Sequence, residues 1–225
     1  MSWRVLLIIV AEFLVVIGLL FIPAGTVGWV AGWVFVALLC GITLLVVRML
    51  ARNDPELLQE RMSSPIQRNQ PLWDKVLLPV LMLVFIAWLI LMPMDAVRFG
   101  WSDVPVWLQI LGALGIMLSF YGMYLVYREN AYLYPVVKLQ EERGQSVVTT
   151  DPYRYVRHPM YASGLVLFPA TALLLGSWLG LLLSPVLMAL IILRTAREDR
   201  MLRDGLAGYA GYARTVRYRL VPHVW

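Results

Sequence analysis

MYASGLVLFPATALLLGSWLGLLLSPVLMALIIL, residues 160–193, is a stretch of 34 residues without one charged side chain. A single membrane crossing needs about 20 apolar residues, so the stretch is too long for one span. Leu175, Gly176, Ser177 and Trp178 near its middle are turn and interface residues. Dividing there predicts two helices of about 16 to 17 residues, each about 25 Å long at 1.5 Å per residue. Such short helices read as a hairpin that barely crosses the bilayer or sits against its neighbours. Because the chain leaves and returns on one side, residues just before the hairpin must meet those just after it.

Outward from the hairpin, four more stretches are long and apolar enough to span: about 3–22, 27–50, 76–94 and 104–127. Of the 225 residues 60% are hydrophobic and 15% charged, which argues against both a disordered chain and a water-soluble domain. The fold expected is an all-α integral membrane protein of about six transmembrane segments, the last two being the short hairpin. One domain over 1–225 is expected, with four spans in 1–127 and the polar, chemistry-bearing region in 128–225. A secretory signal fits the first span poorly, since Glu12 interrupts its apolar core and a second span follows at once. Glu12 itself either snorkels or is buried against a partner.

This layout puts 18 of the 19 Lys and Arg residues on one side and Arg98 alone on the other. By the positive-inside rule both termini are cytoplasmic. The net charge of +5 is then accounted for by topology and by contact with anionic membrane lipids. Nucleic acid is not an expected partner, because the tryptophans lie in or beside apolar runs, where they read as interfacial anchors. Cys40 is the only cysteine, so neither an internal disulfide nor a cysteine zinc cluster is possible. Two histidines, His158 and His223, are too few for a histidine metal site, and no metal is expected.

Three polar cytoplasmic pieces remain. Residues 52–62, RNDPELLQERM, begin with Asn and Asp and have Pro and Glu in the first turn, the pattern of a short amphipathic helix lying on the membrane surface. Residues 128–158 end in DPYRYVRH, and residues from Arg194 onward continue the last hairpin helix into a Tyr- and Arg-rich tail. The hairpin therefore brings Arg157, His158 and Tyr161 beside Arg194 and Glu198. Pro159 suits a first helical turn, which adds the N–H groups and positive dipole end of a helix to the same place. Arg194 and Glu198 share a helix face and could be an ordinary surface pair. Asp199 with Arg203 and Arg200 with Asp204 read as solvated pairs of that kind. Arg194 differs, since it ends an apolar run, where a charge must be paired or used.

The series YRYVRHPMY (153–161), Gly176, Arg194, Glu198, Asp199, Leu202, Tyr209, Tyr212 and Val216 resembles the C-terminal signature of the isoprenylcysteine carboxyl methyltransferase family, shared with membrane phospholipid methyltransferases. That signature runs R-H-P-x-Y, a hairpin, R-x-x-x-E-E-x-x-L and Y-x-x-Y. The 53–62 segment is similar to the loop of bacterial members, which implies a bacterial inner membrane. Asp151 stands where the family has Gly before Pro-Tyr, Ser163 with Gly164 where its glycine falls at 163, and Asp199 where it has a second Glu.

The resemblance implies methyl transfer from S-adenosylmethionine to a lipophilic or lipidated acceptor arriving from the bilayer, with carboxyl O-methylation of an isoprenylcysteine-like substrate first in line. Arg157, His158, Pro159, Tyr161, Gly164, Glu198 and Tyr212 are the expected cofactor-binding residues. Glu198 would take ribose hydroxyls or the methionine ammonium, and Arg194 would orient the acceptor carboxylate, making Arg194 and Glu198 the expected catalytic residues. A phospholipid amine or small thiol acceptor is the alternative within the same chemistry. A nicotinamide-dependent membrane reductase is the alternative outside it, disfavoured by the chain's length. The oligomeric state is not legible in the sequence.

Overall fold

The computed structural model describes residues 3–62, 67 and 69–225. Six long or medium helices are arranged in chain order: α1 (Trp3–Ala24), α2 (Val30–Asn53), α4 (Leu72–Pro93), α5 (Val106–Glu129), α6 (Pro159–Leu174) and α7 (Trp178–Gly205). Two short ones, α3 (Pro55–Arg61) and α8 (Tyr209–Thr215), lie between α2 and α4 and after α7. Five of the helices are long and apolar enough to cross a membrane, and α6, at 16 residues, is a shorter apolar helix. The protein is thus an all-α, multi-pass membrane protein, and its sixth expected span is the short arm of the hairpin.

The hairpin is asymmetric. Gly176 takes a left-handed φ of 76° at the turn, and Ser177 caps α7 by accepting from the Gly180 amide at 2.8 Å. α7 runs on for 28 residues, about 42 Å at 1.5 Å per residue, so its charged half projects past a hydrocarbon core of about 30 Å. Near the turn, Asp95 accepts from the Ser177 and Ser102 hydroxyls at 2.5 and 2.6 Å and ties the end of α4 to it.

Small residues bring α5 and α6 into near backbone contact. A Cβ at Gly112 would collide with the Leu174 nitrogen and the Ala170 carbonyl, and one at Gly122 would collide with the Ser163 hydroxyl. Ser119 donates to the Ser163 carbonyl at 2.6 Å across the same interface. Gly112, Gly115, Ser119 and Gly122 recur at helical spacing, so they form one small-residue seam, the usual way for helices to associate in lipid. The core behind it holds Leu20, Trp88, Met92, Ile116, Phe168 and Leu187, and the Trp88 indole donates to the Gly180 carbonyl at 2.7 Å.

The 52–62 segment forms α3, as its Asp54-Pro55 start predicts, with the Asp54 carboxylate accepting from the Leu57 amide at 2.9 Å. Its buried Leu57 and Leu58 pack with Val5, Ile9, Val47 and Leu50 of α1 and α2. Glu12 is exposed on α1 and is therefore not buried within this chain.

Candidate active site

Both sides of the hairpin meet as the sequence requires. Tyr161, in the first turn of α6, donates its hydroxyl to Glu198 of α7 at 2.6 Å, and the Arg194 guanidinium lies over the Tyr161 ring at 5.6 Å. His158 stacks on the same ring at 5.9 Å, and Pro159 opens α6. A cavity of about 300 Å³, at the small end of the range for small-molecule sites, lies against these residues. One wall is the charged half of α7, and the others are Arg61 of α3, the 130–148 loop, the 153–161 run and α8. Arg157, His158, Pro159, Tyr161, Arg194, Glu198 and Tyr212 all line it. Gly164 does not: it lies further along α6, where an added Cβ would meet nothing within 4 Å.

Beneath the cavity lies a carboxylate that the sequence misplaces. The Asp199–Arg203 pair exists at 3.1 Å, but Asp199 is only 1% exposed and is no solvated helix acid. Its Oδ1 accepts from Arg157 Nε at 2.7 Å and from the Tyr209 hydroxyl at 3.0 Å, with His158 Nε2 at 3.3 Å. Its Oδ2 accepts from Arg157 Nη2 at 3.1 Å and Arg219 Nε at 2.9 Å. Arg157 is held further by the Val216 and Arg217 carbonyls, at 2.7 and 2.8 Å from Nη1. The backbone amides of Arg157 and His158 donate to Tyr218 and Arg219. Arg-His of the motif thus fastens the C-terminal tail under the cavity, which leaves Arg157 as a clasp with its donors engaged. Arg200 and Asp204 are both exposed, and no ion pair joins them among the described residues.

Three phenols complete the floor and wall. Tyr212 donates to the Tyr153 carbonyl at 2.7 Å, and Asn130 donates to the Tyr153 hydroxyl at 2.6 Å. Burial pushes the phenols of Tyr153, Tyr209 and Tyr212 well above the ordinary tyrosine range, the charge of Asp199 reinforcing this at Tyr209 and Tyr212. All three stay neutral at physiological pH and act by shape and hydrogen bonding.

Arg194 brings the largest surprise. Its Nε donates to Asp74 Oδ1 at 2.8 Å, and its Nη2 lies 3.4 Å from Asp74 Oδ2 and 3.0 Å from the Pro135 carbonyl. Asp74 is wholly buried in the first turn of α4 and also accepts from Gln70 Nε2 at 2.8 Å and the Val137 amide at 3.0 Å. One carboxylate therefore links α4, the loop and α7. In the sequence Asp74 looks like an ordinary acidic residue at a helix start. Only the contact across 120 positions reveals its partner.

With this geometry in place, the chain can be set beside known proteins. Residues 107–207 match the phospholipid methyltransferase family model. The match takes in α5, α6, the hairpin turn and all of α7, and so the R-H-P-x-Y and Arg194–Glu198 positions. The matched segment is the one that carries the C-terminal resemblance to membrane methyltransferases. No curated protein shows a significant match to the chain.

Proposed function

We propose that the protein transfers a methyl group from S-adenosylmethionine to a lipophilic acceptor at the cytoplasmic membrane surface of a bacterial cell, both termini being cytoplasmic. The observation that carries this reading is the cavity itself, which gathers both halves of the methyltransferase signature from either side of the hairpin. Its lining fits an adenosyl-methionine ligand: aromatic and aliphatic walls for a flat base, and Glu198 as an acceptor for hydroxyl or ammonium donors. When bound, that cofactor supplies an electrophilic methyl on a sulfonium, which passes to an acceptor heteroatom as the sulfur departs as a neutral thioether.

The chain's own contribution is placement. Tyr161 holds Glu198 in one rotamer, Asp74 holds Arg194, and Asp199 seals the tail against the cavity floor. A methyl sulfonium needs little acid or base help once the nucleophile is aligned, so positioning and exclusion of water supply most of the acceleration. This explains a site built of tethered side chains without a nucleophile–base pair.

For the acceptor, carboxyl O-methylation of an isoprenylcysteine-like acid requires Arg194 to offer donors to a carboxylate. Among the described residues the hydrogen bonds of Arg194 leave from Nε and Nη2, so Nη1 remains for that task. The neutralising Asp74 carboxylate favours a second reading, an amine or thiol acceptor with no anion for Arg194 to bind. Labelled-methyl transfer to a panel of prenylated cysteine acids, phospholipid amines and thiols separates the two.

The founding test is thermal stabilisation of the detergent-purified protein. S-adenosylmethionine or its demethylated product at about 100 times its dissociation constant should add about 2.7 kcal/mol, and NADPH should add nothing. Stabilisation by NADPH alone would replace the methyltransferase reading with the reductase one. Glu198→Ala should weaken cofactor binding in calorimetric titration, whereas Arg194→Ala should lower turnover more than cofactor affinity.

A further inference from the structure

Gln140, in the irregular loop between α5 and α6, is a buried residue lining the same cavity. Its backbone is fully engaged: its amide donates to Gln145 Oε1 at 2.8 Å, and its carbonyl accepts from the amides of Arg143 and Gln145. Its side-chain Nε2 donates to the Tyr132 carbonyl at 2.8 Å. That bond fixes the orientation of the amide, because a flipped group would set oxygen against oxygen. The oxygen, Oε1, is buried and has no hydrogen-bond partner among the described residues. An orphaned buried acceptor is costly, so a fold that keeps one beside a cavity invites a donor from whatever fills the cavity.

The kind of donor follows from the neighbours. The cavity runs along α7 from Arg194 to Leu206, about 18 Å at 1.5 Å per residue. Of the charged residues that line it, Arg194 and Glu198 lie on α7 at the first end, Arg61, Lys138 and Arg157 come from other elements, and Met201, Leu202 and Leu206 form the second end. Gln140 belongs to the second end, since the adjoining Leu139 lies against Gly205, where a Cβ would collide with it. Val147 and Val148 wall the cavity with Leu202 and Leu206. Lys138, two residues from Gln140, lines the cavity as well, its ammonium paired with Glu60 at 3.1 Å. Of the donors that the proposed cofactor carries, the neutral N–H on a flat, apolar body suits this aliphatic end.

We infer that Gln140 Oε1 accepts a hydrogen bond from the exocyclic amine of the cofactor's purine, fixing the base at the Met201–Leu206 end and the sulfonium towards Glu198 and Arg194. This rests on the cofactor proposed above. Gln140 lines the cavity, and the soft terminal torsion of its side chain lets the oxygen turn towards a donor there. The residue is then the element that tells adenine from a purine bearing a carbonyl at the same position, since such a ligand sets an acceptor against an acceptor.

The experiment is calorimetric titration of the full-length wild type and Gln140→Met with S-adenosylhomocysteine and S-inosylhomocysteine, a pair that differs in that one group. The wild type should bind the adenosyl compound at least tenfold more tightly, and Gln140→Met should bring the two within about twofold of each other. Discrimination of the same size in both proteins overturns the assignment of Gln140 and leaves the proposed cofactor standing. Equal binding of the two compounds by the wild type overturns it without recourse to the variant, should Gln140→Met fail to fold. No binding of either compound by the wild type removes the cofactor reading and this inference together.

Discussion

Removing the Asp74 carboxylate should be strongly destabilising. Asp74→Ala leaves the Arg194 guanidinium buried without its ion-pair partner, along with the Gln70 amide and the Val137 N–H that the carboxylate now receives. Breaking a buried ion pair from one side costs about 3–5 kcal/mol, because the partner charge stays out of water. At about 2–4 °C per kcal/mol for a chain of this size, the apparent melting temperature should fall by about 6–20 °C. The measurement is thermal unfolding in detergent of Asp74→Ala, Arg194→Ala and the double variant at fixed lipid and salt. The penalties should be strongly non-additive, the double variant losing less than the sum of the singles, because with both partners gone no uncompensated charge remains. Additive losses, or a loss below about 1 kcal/mol for Asp74→Ala, would mean that water reaches Arg194, and the placement argument for that residue would fail.

Three further outcomes follow from separate parts of the molecule. Gly112→Ala should destabilise by about 3 kcal/mol, because the new methyl meets backbone atoms of α6 that cannot move aside, whereas Gly164→Ala should leave both melting temperature and S-adenosylhomocysteine affinity unchanged; weakened binding in the second variant would return Gly164 to the cofactor site. Asp151 holds a left-handed φ of 45°, so Asp151→Ala should be about 1–2 kcal/mol less stable than Asp151→Gly in the same melting assay, both variants having lost the ion pair to Arg128; equal stability would show that the turn relaxes. The raised phenols make folding favour neutral tyrosine, so their contribution is complete below the ordinary value of 10.0 and is lost as pH climbs above it towards the folded-state values. Between pH 9 and 11 the wild type should therefore lose stability faster than Tyr212→Phe, by up to about 1.4 kcal/mol per pH unit for the one phenol removed; parallel pH curves would show Tyr212 to be solvated.

What could be read in the sequence was whatever a local pattern dictates. The charge-free run, its Gly-Ser-Trp break and the distribution of basic residues were enough for the spans and the hairpin. Fold-back alone then implied that Tyr161 and Glu198 must meet. The left-handed turn at Asp151 was legible in part, as an odd residue where the family carries glycine. Asp199, Asp74 and Gln140 were not legible, for one physical reason: each is defined by partners that no local spacing encodes. Asp199 has a helix neighbour four residues on, which suggests a solvated pair, but its burial comes from residue 157, 42 positions earlier, and from the tail. Asp74 meets Arg194 across 120 positions. Gln140 is conspicuous only by an acceptor left without a donor, a property of packing that no composition or periodicity records.

That division bears on how the acceptor is chosen. Arg194 is the residue proposed above to orient an acceptor carboxylate, but its guanidinium is already balanced in charge by Asp74. A balanced pair attracts an incoming anion far less than a lone guanidinium, so under the proposed function the choice between acids and amines would turn on Asp74 of α4, outside the segment that carries the signature. Asp74→Asn tests this with little change of shape: it keeps an oxygen for Arg194 while removing the opposing charge. If Arg194 serves a carboxylate, prenylated cysteine acids should gain in kcat/KM relative to amines in that variant, with cofactor affinity unchanged. A ratio that stays at the wild-type value would leave Arg194 as a structural cation and hand the acceptor to the amine or thiol reading.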